Sequence, residues 1–132
     1  MNESAVETSG RVTGGVRWLL RCEGLALFLT ACALYDIWGG PWWLFIALFL
    51  APDLSFAAYL IGAKFGAVIY NAVHTTIVPI VLMGIGAALA VPLLTSIATN
   101  WLAHIGLDRA FGYGLKYDAG FGFTHLGRIG RA

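Results

Sequence analysis

The chain has 132 residues, of which 59% are hydrophobic and only 11% charged, with a formal net charge of +1. A water-soluble domain of this size needs roughly a quarter charged residues at its surface, so the composition excludes a soluble globule and indicates one integral membrane domain. The near-neutral balance also excludes the basic footprint of a nucleic-acid binder and leaves membrane lipids as the expected surroundings.

Residues 1–15, MNESAVETSGRVTGG, are polar and glycine-bearing and are expected to be disordered, ahead of a membrane domain over 16–132. Four apolar stretches follow, at 17–37, 41–61, 65–86 and 89–111. Each can cross about 30 Å of hydrocarbon at about 1.5 Å per residue. WGGP and IGAK mark the first two turns, and the third break falls around Gly84, Gly86 and Pro92. Short connections make successive helices antiparallel, so the expected fold is all-α, an up-down four-helix membrane bundle.

Cys22 and Cys32 both lie in the first stretch, where one helix keeps them apart, and neither has the spacing of a metal site. They read as small apolar fillers. LTAC at 29–32 matches a lipoprotein cleavage pattern, but Glu23 interrupts the apolar core such a signal needs, so the stretch is expected to stay as a span.

In a four-span arrangement Arg11, Arg17, Arg21, Lys64, Arg109, Lys116, Arg128 and Arg131 all fall on one side. Both termini are therefore expected in the cytoplasm. Three spans would put Lys64 and the tail on opposite faces, and insertion in both orientations would need less basic asymmetry than this.

The intramembrane polar residues then line up by depth. Asp53 lies in the second stretch about 12 Å above its cytoplasmic end at about 1.5 Å per residue. His74 enters the third stretch to a comparable depth, with Tyr70 and Asn71 on the same helix face. Asn100, His104 and Asp108 form one stripe on the fourth at intervals of four residues, and Glu23 lies near the inner end of the first. Charge in hydrocarbon costs several kcal/mol unless paired, metal-bound or facing water. The arrangement therefore predicts that Glu23, Asp53, Asn71, His74, His104 and Asp108 face one another, with Pro79 allowing a bend above them.

Imidazole with carboxylate is the donor set of zinc, manganese or iron. Asp53, His74, His104 and Asp108 are the candidate ligands, Glu23 the candidate general base, and Tyr70, Asn71, Arg109 and His125 the supporting groups around them. Two other roles suit the same residues: a charge-paired layer that fixes helix packing, and a titrating path for protons or ions.

Gly112 and Gly114 should end the last helix, opening an aromatic, basic tail over about 112–132. Its Phe111, Tyr113, Tyr117, Phe121 and Phe123 read as an interfacial aromatic belt, and its His125 is placed to fold over the mouth of the polar cavity.

LLRCEGLALF, WWLFIALFLAPDLSFAAYLIGAKFGAVIYNAVH, WLAHIGLDRAFGYGLKY and THLGR together resemble the bacterial membrane-protein family domain of unknown function 4260, over roughly residues 17–129. The pattern of that family corresponds here to Arg21, Glu23, Pro52, Asp53, Tyr70, Asn71, His74, His104, Asp108, Arg109, Tyr113, Lys116 and His125. The resemblance implies a multi-pass protein of a bacterial inner (plasma) membrane and brings no established activity. More loosely, the chain is similar to small bacterial membrane proteins described as metal-dependent hydrolases, which share the Pro-Asp acid, although their paired acids and THS-type motifs are absent here. The leading expectation is a membrane-embedded metal-dependent hydrolase acting on a lipid or amphiphile. A structural bundle and an ion-coupled transporter are the alternatives, and a homo-oligomer is left open.

Overall fold

The computed structural model describes residues 12–115 and 123–128. The expectations for residues 1–11 and for Lys116, Tyr117, Phe121 and Arg131 lie outside the described residues, as do those for the side chains of Phe123 and Arg128. Among the described residues five α-helices run in order: α1 Gly14–Ile37, α2 Trp42–Leu48, α3 Ala63–His74, α4 Ile77–Ala88 and α5 Pro92–Ala110. A 3-10 helix, Ala51–Leu60, lies between α2 and α3, and a small antiparallel hairpin, β1 Phe123–Thr124 with β2 Gly127–Arg128, closes the described chain.

Two of the expected continuous spans are broken, and a proline explains each break. Pro52 has no N–H to donate and crowds the preceding turn. α2 therefore stops at Leu48, and the chain continues as a tighter helix whose first bond runs from Asp53 N–H to Leu50 O at 3.0 Å. The second break is sharper than the bend expected at Pro79. Thr75 is extended, with ψ of 146°, and α3 ends at His74 before α4 restarts with Pro79 in its first turn. Proline is tolerated there because a first-turn N–H has no partner in any case.

The segments Gly14–Ile37, Trp42–Leu60 and Ala63–Ala88 are each long and apolar enough to cross a membrane. α5 has 19 residues, a length of about 28 Å, but its polar content sets it apart. Thr95, Ser96, Thr99, Asn100 and His104 on α5 are buried, while Leu29, Ile46, Leu54, Leu60 and Ile61 on the other elements are exposed. This inside-out distribution suits a chain whose solvent is lipid. The α5 threonines cope locally, the Thr95 hydroxyl donating to Val91 O at 3.2 Å and the Thr99 hydroxyl to Thr95 O at 2.5 Å.

α5 packs chiefly against α1 and α4, and the 3-10 helix packs against α3. Small residues let α1 and α5 approach closely. A Cβ on Gly106 would lie 2.6 Å from Phe28 N, and one on Gly24 would lie 2.8 Å from Ala110 N. Ala31, Tyr35, Phe45, Leu102 and Ala103 form the apolar core beside this crossing. α5 thus runs through the middle of the fold and carries its polar stripe toward α3 and the 3-10 helix.

Candidate metal centre

Each break in the helices helps to place a ligand. The 3-10 segment presents Asp53, the last residue of α3 is His74, and α5 contributes His104 and Asp108 one turn apart. These four meet, with one donor atom from each lying within 4.8 Å of the other three.

The individual distances carry more information than the clustering. The two Nε2 atoms are 3.3 Å apart. His104 Nε2 is 3.1 Å from both Asp53 Oδ1 and Asp108 Oδ2. His74 Nε2 is 3.4 Å from Asp53 Oδ1 and 3.6 Å from Asp108 Oδ2. Four donors at about 2.0 Å from a tetrahedral ion lie about 3.3 Å from one another. All five of these separations fall near that edge length, and the sixth, between the two carboxylate oxygens, is within 4.8 Å.

The tautomer of His74 follows from its surroundings. Its Nδ1 lies 3.0 Å from Tyr70 O, a carbonyl that can only accept, so Nδ1 carries the proton. The neutral ring then turns an Nε2 lone pair toward two carboxylate oxygens and a second imidazole nitrogen, an arrangement that calls for a cation or a proton between them. A carbonyl partner on the far nitrogen is the usual means of orienting a ligating histidine. Tyr70 also stacks on His74 at 3.7 Å between ring centroids, and Phe56 stacks on Tyr70 at 5.4 Å. His104 is held differently. Its Nδ1 is buried without a hydrogen-bond partner among the described residues, and the ring meets Phe49 edge-on at 5.4 Å.

The histidine side chains are 4% and 2% exposed, whereas those of Asp53 and Asp108 are 29% and 19% exposed. An ion here would have a closed imidazole side and an accessible carboxylate side. Because α3 ends at His74, the carbonyl of that residue has no helical partner. Arg109 supplies one, donating from Nη2 at 3.3 Å.

Of the residues expected to converge, Asp53, His74, His104 and Asp108 do so, with Tyr70 and Arg109 directly behind them. Asn71 is half-buried one turn before the end of α3. Glu23 stands outside the four-residue group. It is exposed on α1 and borders a separate cavity of about 190 Å³ with Thr76, Arg109 and His125. His125 is in that second cavity, where its Nδ1 accepts a hydrogen bond from Leu115 N–H at 2.9 Å. Phe49 and Phe56, which wall the histidines, are phenylalanines in an apolar run and had no signal to distinguish them.

A further apolar cavity of about 290 Å³ is lined by residues that include Pro52, Val73, Ile97, Asn100 and Trp101.

Comparison with known proteins places the chain in one family. Residues 17–129 match the family described as Domain of unknown function (DUF4260), and the chain belongs to it. No curated protein and no solved structure matches the chain.

Proposed function

Taking the chain as a member of this family, we propose that it is a multi-pass protein of the bacterial inner membrane that holds a divalent metal ion between Asp53, His74, His104 and Asp108. The observation that carries the reading is the set of donor separations between 3.1 and 3.6 Å around the two Nε2 atoms, close to the edges of a tetrahedral site. Mixed nitrogen and oxygen donors suit zinc first, with manganese or iron next. In this reading α5 is a fourth span, the helices run up and down, and both termini lie in the cytoplasm, supported by the one-sided distribution of Lys64, Arg109 and the N-terminal arginines.

The proposed activity is hydrolysis of a lipid or amphiphile. A divalent ion bound here would supply a Lewis acid, and with its coordination expanded to five, or with one carboxylate released, it would lower the pKa of a bound water to about 7. The exposed carboxylate side offers the approach. Glu23, which stands outside the four ligands, is the proposed general base. Purified protein, stripped with a chelator and reloaded with zinc, is assayed against a fluorogenic fatty ester. Zinc-dependent turnover lost in Asp108→Asn supports the hydrolase, and equal turnover with and without metal contradicts it. Glu23→Gln separates base from bystander, since a base variant loses turnover while keeping metal.

A second reading is favoured by the number of ligands. Four protein donors from three elements can close a structural site, so that the ion clamps the 3-10 helix and α3 to α5. In that case stripping the metal lowers the melting temperature, and no ester is cleaved in any metal state.

A further inference from the structure

Arg109 is half-buried at the end of α5, and one nitrogen of its guanidinium, Nη2, donates to His74 O at 3.3 Å. A guanidinium carries several N–H donors and does not give up its proton, so most of its donors and all of its charge remain available. The neighbouring Asp108 is turned to His74 and His104 instead. Among the described residues no carboxylate lies within ion-pair distance of Arg109. A half-buried cation without a counter-charge is costly in apolar surroundings, so the space it faces is where an anion from outside the chain would be stabilised.

That space is the cavity of about 190 Å³ that Arg109 lines together with Thr76 and His125. Both of these add a free donor. Thr76 is the N-cap of α4, yet its hydroxyl makes no capping bond. His125 accepts from Leu115 N–H through Nδ1, so the neutral ring carries its proton on Nε2, which has no partner among the described residues. None of these donors belongs to the polar atoms sealed from the surface without a partner, so each keeps accessible surface. Arg109 and His125 also stand within electrostatic reach of one another, since burial first, and then the guanidinium charge, lower the imidazole pKa. Glu23, which is exposed, and the half-buried Leu20 and Leu27 complete this part of the wall from α1.

We propose that this cavity binds the phosphodiester group of a membrane phospholipid, with Arg109, the Thr76 hydroxyl and the Nε2–H of His125 donating to its oxygens. Donors arriving from α5, from the α3–α4 break and from the hairpin suit a tetrahedral group better than a planar carboxylate. Charge then selects among phosphates. One guanidinium, offset in part by the exposed Glu23, matches the single negative charge of a diester better than the double charge of a terminal phosphate. A lipid is favoured over free phosphate because the wall includes α1, long and apolar enough to cross a membrane. The first turns of that helix carry Trp18 and Arg21, stacked at 4.6 Å, a pairing suited to the headgroup layer. The volume is below that of ordinary ligand sites, about 300–1,000 Å³, so the phosphate enters while the acyl chains stay outside, along exposed α1 residues such as Leu19 and Leu25. This site shares Arg109 with the metal centre but does not rest on the metal reading.

The test is a titration of the full chain in maltoside micelles, which contain no phosphorus, followed by the NMR signals of the His125 ring. Those signals are identified by their absence in His125→Phe. The probes are dihexanoylphosphatidylglycerol, dihexanoylglycerol and inorganic phosphate. A saturable shift is expected with the phosphatidylglycerol and none with dihexanoylglycerol. Inorganic phosphate should need about tenfold more ligand, because it lacks the apolar contacts of the glycerol and first methylenes. Thr76→Val keeps the shape and removes one donor, so it should weaken the phosphatidylglycerol about tenfold, the scale of one hydrogen bond to a charged group. Arg109→Gln should abolish the saturable shift. Glu23→Gln should improve binding of dihexanoylphosphatidic acid, a terminal phosphate that the parent binds more weakly than the diester. Each titration is run before and after treatment with chelator, and the same shift is expected in both. No saturable shift with either phosphate, an equal shift with dihexanoylglycerol, or unchanged binding by Thr76→Val overturns the proposal. A shift lost with the metal also overturns it, since the phosphate was then held by an ion, whereas a shift in metal-free protein supports this site even if the metal centre fails. Inorganic phosphate binding as tightly as the lipid overturns the assignment to a phospholipid.

Discussion

Arg109 and His74 show how a helix end can be put to use. The break at Thr75 leaves the carbonyl of His74 without a helical partner, and the guanidinium of Arg109 takes it at 3.3 Å. Replacing Arg109 with Met should cost about 1.5–3 kcal/mol, the range for a hydrogen bond involving a charged group. It should also weaken metal binding by loosening the residue that carries one ligand. Chemical denaturation and a zinc titration of the variant check both effects. His125 provides a pH-sensitive bond outside the spans. Burial first, and then the charge of Arg109, push its imidazole below the ordinary range. Its Nδ1 must also be unprotonated to accept from Leu115 N–H. The stabilisation is therefore present above the unfolded value of about 6.5 and declines as pH falls through it toward the lower folded pKa. Hydrogen exchange should show the Leu115 amide losing protection on acidification, and His125→Phe should remove that dependence.

Among the elements, the two prolines decide where the ligands sit. Pro52→Ala should let α2 extend and swing Asp53 away from the histidines. Metal affinity should then fall by about tenfold or more, the loss typical when a ligand's supporting structure is disturbed, with secondary structure largely kept. Zinc titration alongside circular dichroism reads both. Glycines make a matched pair for packing. Gly106→Ala forces a methyl against the backbone of α1 and should cost about 1–3 kcal/mol, whereas at Gly84 a Cβ would meet nothing within 4 Å. Gly84→Ala should be neutral or slightly stabilising, since alanine is the better helix former. Melting curves should fall for Gly106→Ala and hold level or rise for Gly84→Ala. At this scale the sequence was only partly legible. The limits of α1 and α5 follow from apolar length and turn residues, and helical spacing puts His104 and Asp108 on one face. Interruptions at 49–50 and 75–76 were not legible, because hydropathy sums over a window and does not register a lost N–H or a change of helix type. Glu23 was misplaced relative to the cluster for a related reason. Depth along an axis is readable from residue counts, but the direction in which a side chain faces depends on packing that no single helix contains.

Across the whole molecule, the distribution of polarity is what a lipid solvent requires, with hydroxyls, an amide and imidazoles inside and aliphatic side chains outside. An ion bound by residues from the 3-10 helix, α3 and α5 would tie the three elements together, adding to the bonds that Trp101 and Arg109 of α5 make to Val73 O and His74 O of α3. Because an ion that binds only the folded chain stabilises it by mass action, by about 4 kcal/mol at a thousandfold excess over Kd, zinc should raise the melting temperature and a chelator should lower it. The most direct measurement is the metal content of the full chain purified without chelator, by elemental analysis, beside His74→Ala and His104→Ala prepared identically. One divalent ion per chain in the parent, and none in either variant, is the predicted result. A parent without stoichiometric metal, or variants that keep as much of it as the parent, would contradict the account.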